Sequence, residues 1–263
     1  MRLCDHLELT VGFCTETGPH RKLNEDTILV QPPMFIVADG MGGHDDGQRA
    51  STVAVEELKK LGSRPSVEDV RDALARGRHQ INAMKIASKR RAAGTTISGM
   101  VFVEQNGWPY WLVVNLGDSR TYRVVNGKLE QVSVDHSEAQ ELIDAGKMAS
   151  SALRDYPRRN VITRVLGART VEDPEYWMIP VEGDQRWMIC SDGLTSELDD
   201  ALVAHIVTQP IPAQQVVDEL VAAAMTAGGR DNISVIIVDV KKAAHPPEEE
   251  TIEDLQWGKG VWD

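Results

Sequence analysis

Met34-Phe35-Ile36-Val37-Ala38-Asp39-Gly40-Met41-Gly42-Gly43-His44 joins an apolar run to a glycine-rich turn, with one carboxylate at the junction. The run carries β-branched and aromatic residues and is bounded by Pro33 and Gly40, so it reads as a buried strand with Asp39 at its end. The glycines that follow leave no side chains to hold the backbone away from an ion or ligand, and they tolerate positive φ. An acid held this way is poised to bind a cation. Taken alone, an Asp-Gly of this kind is more often a cap for the helix beginning near Gly47. The other acids of the chain reverse that reading.

Upstream, Leu7, Leu9, Val11 and Phe13 alternate with polar or small residues and predict a half-buried strand, with a second at residues 27–30. The turn-rich stretch from Gly18 to Asp26 joins them as a hairpin that delivers Arg21, Glu25 and Asp26 beside the strand ending at Asp39. Downstream, helices are expected at residues 48–61 and 66–92, the second with Val67, Val70, Leu74, Ile81 and Met84 at near-helical spacing. Strands follow at 96–104, 108–116 and 121–125. Asn106-Gly107 and Asn126-Gly127 are hairpin turns, which makes these strands antiparallel neighbours. Between the last two sits Gly117-Asp118-Ser119-Arg120, an acid at another strand end beside a glycine.

Residues 132–167 read as a surface excursion, opened by Asp135-His136-Ser137 as the cap of a short helix through Ala145 and continued by Arg154, Arg158, Arg159 and Arg164. Strands resume at 176–180 and 186–191, the latter ending in Asp192-Gly193. Helices are expected at 197–208 and 213–227, and Gly228-Gly229-Arg230-Asp231-Asn232 leads into a closing strand at 233–240. Strand runs interrupted by paired helices argue for an α+β layered domain with antiparallel sheets. The domain spans residues 1–242, and the acidic stretch 243–263, with Pro246-Pro247-Glu248-Glu249-Glu250, is expected to leave it as a flexible tail.

A chain of 263 residues is long enough to bury its core without staples. Cys4, Cys14 and Cys190 are too few and too scattered for a disulfide framework or a thiolate cluster, which fits a reducing cytoplasm. The N-terminus turns polar before a signal peptide's apolar core, and no run approaches the ~20 residues of a membrane helix. A net charge of −12 disfavours nucleic acid and anionic membranes, leaving metal ions or basic protein segments as the charged partners.

Asp39, Asp192 and Asp231 each flank a strand terminus near glycine, and Glu25, Asp26 and Asp118 occupy similar turns. Gathered at one rim, such carboxylates repel one another unless cations neutralise them. All-oxygen ligation suits Mg²⁺ or Mn²⁺ rather than zinc. Two such ions about 3.5–4 Å apart, sharing a carboxylate, can generate hydroxide for in-line attack on phosphorus.

Arg21-x-x-Asn24-Glu25-Asp26, Asp39-Gly40-Met41-Gly42-Gly43-His44, Gly94-Thr95-Thr96, Gly117-Asp118-Ser119-Arg120, Asp135-His136-Ser137, Ser191-Asp192-Gly193 and Gly229-Arg230-Asp231-Asn232 resemble, in order, the motifs of metal-dependent protein phosphatases of the 2C type in their bacterial form. The resemblance spans about residues 7–240. It implies a four-layer α-β-β-α sandwich, two antiparallel sheets flanked by helices, that hydrolyses phosphoserine and phosphothreonine in proteins and opposes a Ser/Thr kinase in signalling. By it, Asp39 bridges two Mn²⁺ or Mg²⁺ ions, Glu25 and the Gly40 carbonyl serve one of them, and Asp192 and Asp231 hold the other. Asp26 orients a metal-bound water, Asn232 supports these ligands, Arg21 grips the substrate phosphate, and residues 136–166 form a flap.

Two positions depart from the family pattern. Met41 stands where eukaryotic members have a histidine general acid, leaving proton donation to His44 or, as the favoured source, water. Many members hold a third ion with the acid of Gly-Asp-Ser, the Ser-Asp-Gly aspartate and an acid four residues later. Here those are Asp118, Asp192 and Ser196, so a third ion is doubtful. The rival reading is a catalytically silent module that binds phosphoproteins, and three convergent metal-ligand candidates weigh against it. The tail, with Glu248-Glu249-Glu250, Trp257 and Trp262, is a candidate docking peptide for a basic partner.

Overall fold

Apolar residues on both faces of one strand require cover on both sides. In β4 (Met34–Met41), Phe35 and Val37 enter one apolar cluster while Met34, Ile36 and Ala38 enter another. The computed structural model describes residues 2–4, 7–42, 45–88, 93–153, 156–168 and 173–242. Two antiparallel sheets build the centre. In spatial order, one consists of β1 (Arg2–Cys4), β2 (Leu7–Glu16), β12 (Ile233–Lys242), β11 (Gln185–Cys190), β8 (Arg120–Val125) and β9 (Lys128–Gln131). The other consists of β10 (Glu175–Pro180), β7 (Trp108–Leu116), β6 (Ile97–Gln105), β4 and β3 (Asp26–Gln31), with β5 (Gly94–Thr95) pairing the end of β4.

The sheets pack face to face through Phe35, Met100, Phe102 and Trp111 of one and Leu9, Trp187, Ile189 and Ile236 of the other. Trp111 meets Phe35 and Phe102 edge-on at 6.1 and 5.9 Å, the arrangement aromatic quadrupoles favour. Helices α1 (Asp46–Lys59) and α2 (Val67–Ser88) cover one outer face through Ala54, Leu58, Leu74 and Ile81. On the other outer face, α5 (Asp200–Val207) and α6 (Ala213–Ala227) pack through Val203, Val207, Val217 and Leu220. This is the four-layer order expected above.

Three local expectations change. The helix expected at 197–208 starts later, as α5, because Asp199 caps it by accepting from the Leu202 amide at 2.8 Å, and a one-turn helix, α4 (Asp192–Thr195), precedes it. Strand β4 continues two residues past Asp39, since Gly40 and Met41 pair with β5. Of the three strands expected as antiparallel neighbours only β6 and β7 pair; β8 lies in the other sheet between β11 and β9, its Asn126-Gly127 turn, with both φ values positive, leading to the short polar strand β9. Gly43, His44, residues 89–92 at the end of the second expected helix, and the tail 243–263 lie outside the described residues.

The excursion between β9 and β10 holds α3 (Glu138–Asp144), capped by Ser137, and a 3-10 turn at Ser150–Ala152. Its neck is closed by backbone bonds from Glu138 N to Val161 O (2.9 Å) and Thr163 N to His136 O (2.9 Å). Its return leg is tied to the second sheet, where Thr95 and Leu166 exchange backbone bonds of 3.1 and 2.9 Å.

Candidate metal centre

At one end of the sandwich the layer between the sheets turns polar without breaking the two-residue period of its strands. Phe102 and Met100 give way to Ser98 and Thr96, Val113 to Asn115, and Val238 and Ile236 to Ser234 and Asn232. On the same faces, Val37 is followed by Asp39 and Ile28 is preceded by Asp26, and these two acids are directly paired across β3 and β4. Hydroxyls bridge the sheets beneath them: Thr96 to Ser119 at 2.7 Å, and Ser98 to Thr121 at 2.9 Å. Ser234 donates to Asp26 Oδ2 at 2.7 Å and also shares a bond of 2.8 Å with Thr15. A buried acid is thereby fastened from the opposite sheet.

Glu25 sits where α1 begins. Its backbone oxygen accepts from Gly40 N at 3.1 Å and from the Ser51 hydroxyl at 2.6 Å. A Cβ on Gly47 would lie 2.3 Å from Glu25 Oε1, and one on Gly40 would lie 2.2 Å from the Gly47 oxygen. Two glycines are therefore needed for the helix to start against β4 with the carboxylate alongside. Asn232 ties the rim together, accepting from Glu25 N (2.9 Å) and donating to Leu23 O (3.0 Å), while its own amide donates to Asp231 Oδ1 (2.8 Å). Asp118 is presented by Gly117, whose φ of 109° excludes most side chains. That turn is gripped by His136, which accepts from Gly117 N at 3.0 Å and donates its own backbone amide to Gly117 O at 2.9 Å.

Arg21 lies against Asp231, with Nη2 donating to Oδ2 at 2.5 Å, and both side chains are partly exposed. Burial, followed by Asp26, Asp192, Asp118 and Asp231, pushes the Asp39 carboxyl well above the usual carboxylate range. Burial likewise pushes Asp118 well up, with Asp192 next as a cause, and raises Asp192, with Asp231 next. Burial lifts Asp26 to about 7 against the opposing bonds from Ser234 and Ser191. Burial also raises Glu25, while Arg21 opposes the shift.

As they stand, no three Asp, Glu, His or Cys side chains among the described residues converge tightly enough to grip an ion. The donor set nonetheless fits one. Glu25 Oε1, Asp118 Oδ1 and Asp192 Oδ1 are buried with no hydrogen-bond partner, and unpaired buried oxygens are costly unless something satisfies them. All are hard oxygen donors suited to Mg²⁺ or Mn²⁺.

A sequence profile described as Protein phosphatase 2C matches residues 22–227. The chain belongs to the protein phosphatase 2C family. Among 2C relatives, "Serine/threonine phosphatase stp" of Listeria innocua is 29% identical over 241 residues, covering 86% of this chain and 94% of that one. The phosphatase MsPP of Mycobacterium smegmatis, a PPM Ser-Thr phosphatase solved in complex with cacodylate, is 33% identical, with a TM-score of 0.79 over 88% of this chain and 97% of its own. The catalytic domain of the phosphatase PstP, solved in complex with two manganese ions, is 26% identical, with a TM-score of 0.80 over 90% and 100%.

Within this 2C domain the expected acids Asp39, Asp26, Asp118, Asp192 and Asp231 meet at one rim, with Glu25 and Gly40 beside α1. Arg21 arrives there too, paired with an acid. Sequence reading placed Thr96 and His136 in motifs without giving them this supporting role, and missed Ser234 and Glu175. Only the hydroxyl positions carried a signal, as polar residues continuing the inward parity of apolar strands. The neutral His136, its pKa lowered by burial, points Nε2 toward Glu175 Oε1 at 3.5 Å. Arg164, at the far end of the flap, reaches the same oxygen at 3.5 Å.

Cations require these carboxyls charged, so binding must displace protons. Mn²⁺ added near pH 6 in weak buffer should release protons, and affinity should rise as pH climbs through about 7, where Asp26 titrates. For the ion-free fold the sign is opposite. Raised carboxyls contribute stability that is full below about pH 4 and lost as pH rises through the folded pKa. Calorimetry in buffers of differing ionisation enthalpy checks the first statement, and proton-neutral binding would contradict it.

Proposed function

We propose that the chain removes phosphate from phosphoserine and phosphothreonine in proteins, opposing a Ser/Thr kinase, with the rim carboxylates holding two Mn²⁺ or Mg²⁺ ions. Family membership makes it a metal-dependent protein serine/threonine phosphatase. The observation that carries the site reading is the set of buried, unpartnered oxygens on Glu25, Asp118 and Asp192 around Asp39. Asp39 would serve both ions, Asp192 and Asp231 would hold one, and Glu25 with the Gly40 carbonyl would hold the other. The ions supply Lewis acidity to water and to the phosphoryl oxygens.

The chain's own groups do the rest. Asp26, held by Ser234, orients the attacking water at the floor of the site. Asn232 fixes Glu25 against Asp231. Arg21 recognises the phosphate through its planar fork, having turned from Asp231 Oδ2. Release of phosphate from a phosphothreonine peptide with and without Mn²⁺ tests this reading, and full activity after chelation would end it.

Beneath the flap, a cavity of about 310 Å³ is lined by Asp118, Asp192, Ser196, Asp200, Arg159 and Asn160. Ser196 offers a neutral hydroxyl where a third ion would want a carboxylate, so that ion should bind weakly. Ser196→Asp should lower the Mn²⁺ concentration for half-maximal activity, and an unchanged titration would show the position to be irrelevant.

We place the protein in the cytoplasm on its cysteine usage. Among the described residues, no helix is long and apolar enough to cross a membrane. The tail supports docking of a basic partner through Glu248-Glu249-Glu250 and its tryptophans. Truncation after Lys242 should preserve peptide hydrolysis while reducing co-purification of partners; an unchanged set would leave the tail a solubilising segment.

A further inference from the structure

Glu197 lies in the link between α4 and α5, five residues beyond Asp192, and its side chain is only 2% exposed. Its Oε1 accepts from the Arg230 backbone amide at 2.9 Å and from Arg230 Nε at 2.9 Å, while Oε2 accepts from Nη2 at 2.8 Å. A surface ion pair by itself contributes little. This one differs in two respects: the acid is buried, and one of its three bonds is to main chain. The carboxylate therefore fixes the path of the backbone at Arg230, and the next residue is Asp231.

The loop needs such a fixture. Gly228 and Gly229 precede Arg230 with φ values of 152° and 55°, so two neighbouring residues occupy conformations with few intrinsic restraints. A Cβ on Gly228 would stand 3.1 Å from Glu197 Oε2, so the glycine also makes room for the carboxylate. On the far side of Asp231, Asn232 is anchored to Glu25 N and Leu23 O. Asp231 is thus suspended between two anchors, Asn232 toward the β3 side and Glu197 toward the helical side.

We propose that Glu197 is a positioning residue for the metal centre: through Arg230 it holds the backbone that aims Asp231, and it contributes no oxygen to an ion. This rests on Asp231 being a metal ligand. Glu197 borders the cavity that Asp118 and Asp192 line, but both of its oxygens are taken by Arg230, so its loss should appear in metal affinity through Asp231 rather than in recognition of phosphate.

The test is calorimetric titration of Mn²⁺ into the chelator-treated full chain, alongside thermal melts and KM for a phosphothreonine peptide at saturating Mn²⁺. Glu197→Ala removes all three bonds and should weaken Mn²⁺ binding by about 10-fold or more, within the range for residues that orient ligands. Arg230→Ala keeps the main-chain bond and should lose less. The double variant should be no worse than Glu197→Ala, because both act through one contact. Glu197→Gln, whose amide oxygen still accepts from the Arg230 amide, should recover most of the affinity, and KM should stay at the wild-type value throughout.

Asp231→Asn separates the two claims. If it weakens Mn²⁺ binding while Glu197→Ala does not, positioning by Glu197 is wrong and the ligand assignment stands. If Asp231→Asn leaves Mn²⁺ affinity unchanged, the ligand assignment fails and the proposal with it. Loss of a separate weak binding step in Glu197→Gln, with the tight sites intact, would make Glu197 a ligand and overturn the proposal. Should Glu197→Ala fail to fold, Arg230→Ala, whose side chain is 70% exposed, and Glu197→Gln carry the decision: wild-type affinity in Arg230→Ala would then refute it.

Discussion

Asp39→Asn should hydrolyse a phosphothreonine peptide at least about a thousandfold more slowly than wild type, because an amide carries no charge to share between two cations and the Lewis acidity lost is several kcal/mol. The same substitution should raise the melting temperature of the ion-free protein at neutral pH. Burial, with Asp26, Asp192, Asp118 and Asp231, favours the protonated Asp39 in that state, whereas the unfolded chain ionises it, so a neutral amide removes a cost to folding. Activity and stability moving in opposite directions separates a lost ligand from a damaged fold. Wild-type turnover in this variant would sink the two-ion reading.

Arg21→Ala should raise KM for phosphopeptides about 10–100-fold, the equivalent of one lost charge-assisted hydrogen bond to phosphate. Mn²⁺ should bind as tightly as before or more tightly, because the guanidinium that lies on Asp231 Oδ2 at 2.5 Å would be gone. The split between the two measurements is the diagnostic. Weaker Mn²⁺ binding with an unaltered KM would place Arg21 in support of the metal shell and remove it from the phosphate.

The strands β4, β6, β7 and β8 and the helix α6 are legible in the sequence because each combines an apolar period with a turn or cap at its edge, as at Asn106-Gly107 and Asn126-Gly127. The acids are legible for a related reason: Asp39, Asp192 and Asp231 each adjoin the end of an apolar run beside glycine. What could not be read is partnership at a distance. Arg21 meets Asp231 across 210 residues and Arg230 meets Glu197 across 33, and no local pattern announces either. Strands β5 and β9 escaped because a two-residue ladder and the sequence Lys-Leu-Glu-Gln owe their extended form to neighbours, which is where β propensity carries least information. The start of α5 at Asp200 was readable in principle, since an aspartate three residues before Leu202 is an ordinary cap.

The flap between β9 and β10 leaves and rejoins the sheets at almost one point. His136 and Arg164 both turn to Glu175, and the neck is laced by Glu138–Val161 and Thr163–His136 backbone bonds. A segment whose ends are pinned together is an exchangeable cassette. Doubling the length of such a loop adds only about 0.6 kcal/mol of closure entropy, and the chemistry at Asp39 is not part of it. Replacement of this one appendage would leave the acids of the rim, Asp39 among them, in place. An engineer grafting the flap of a relative between His136 and Arg164 should transfer preference for a target without rebuilding the phosphatase.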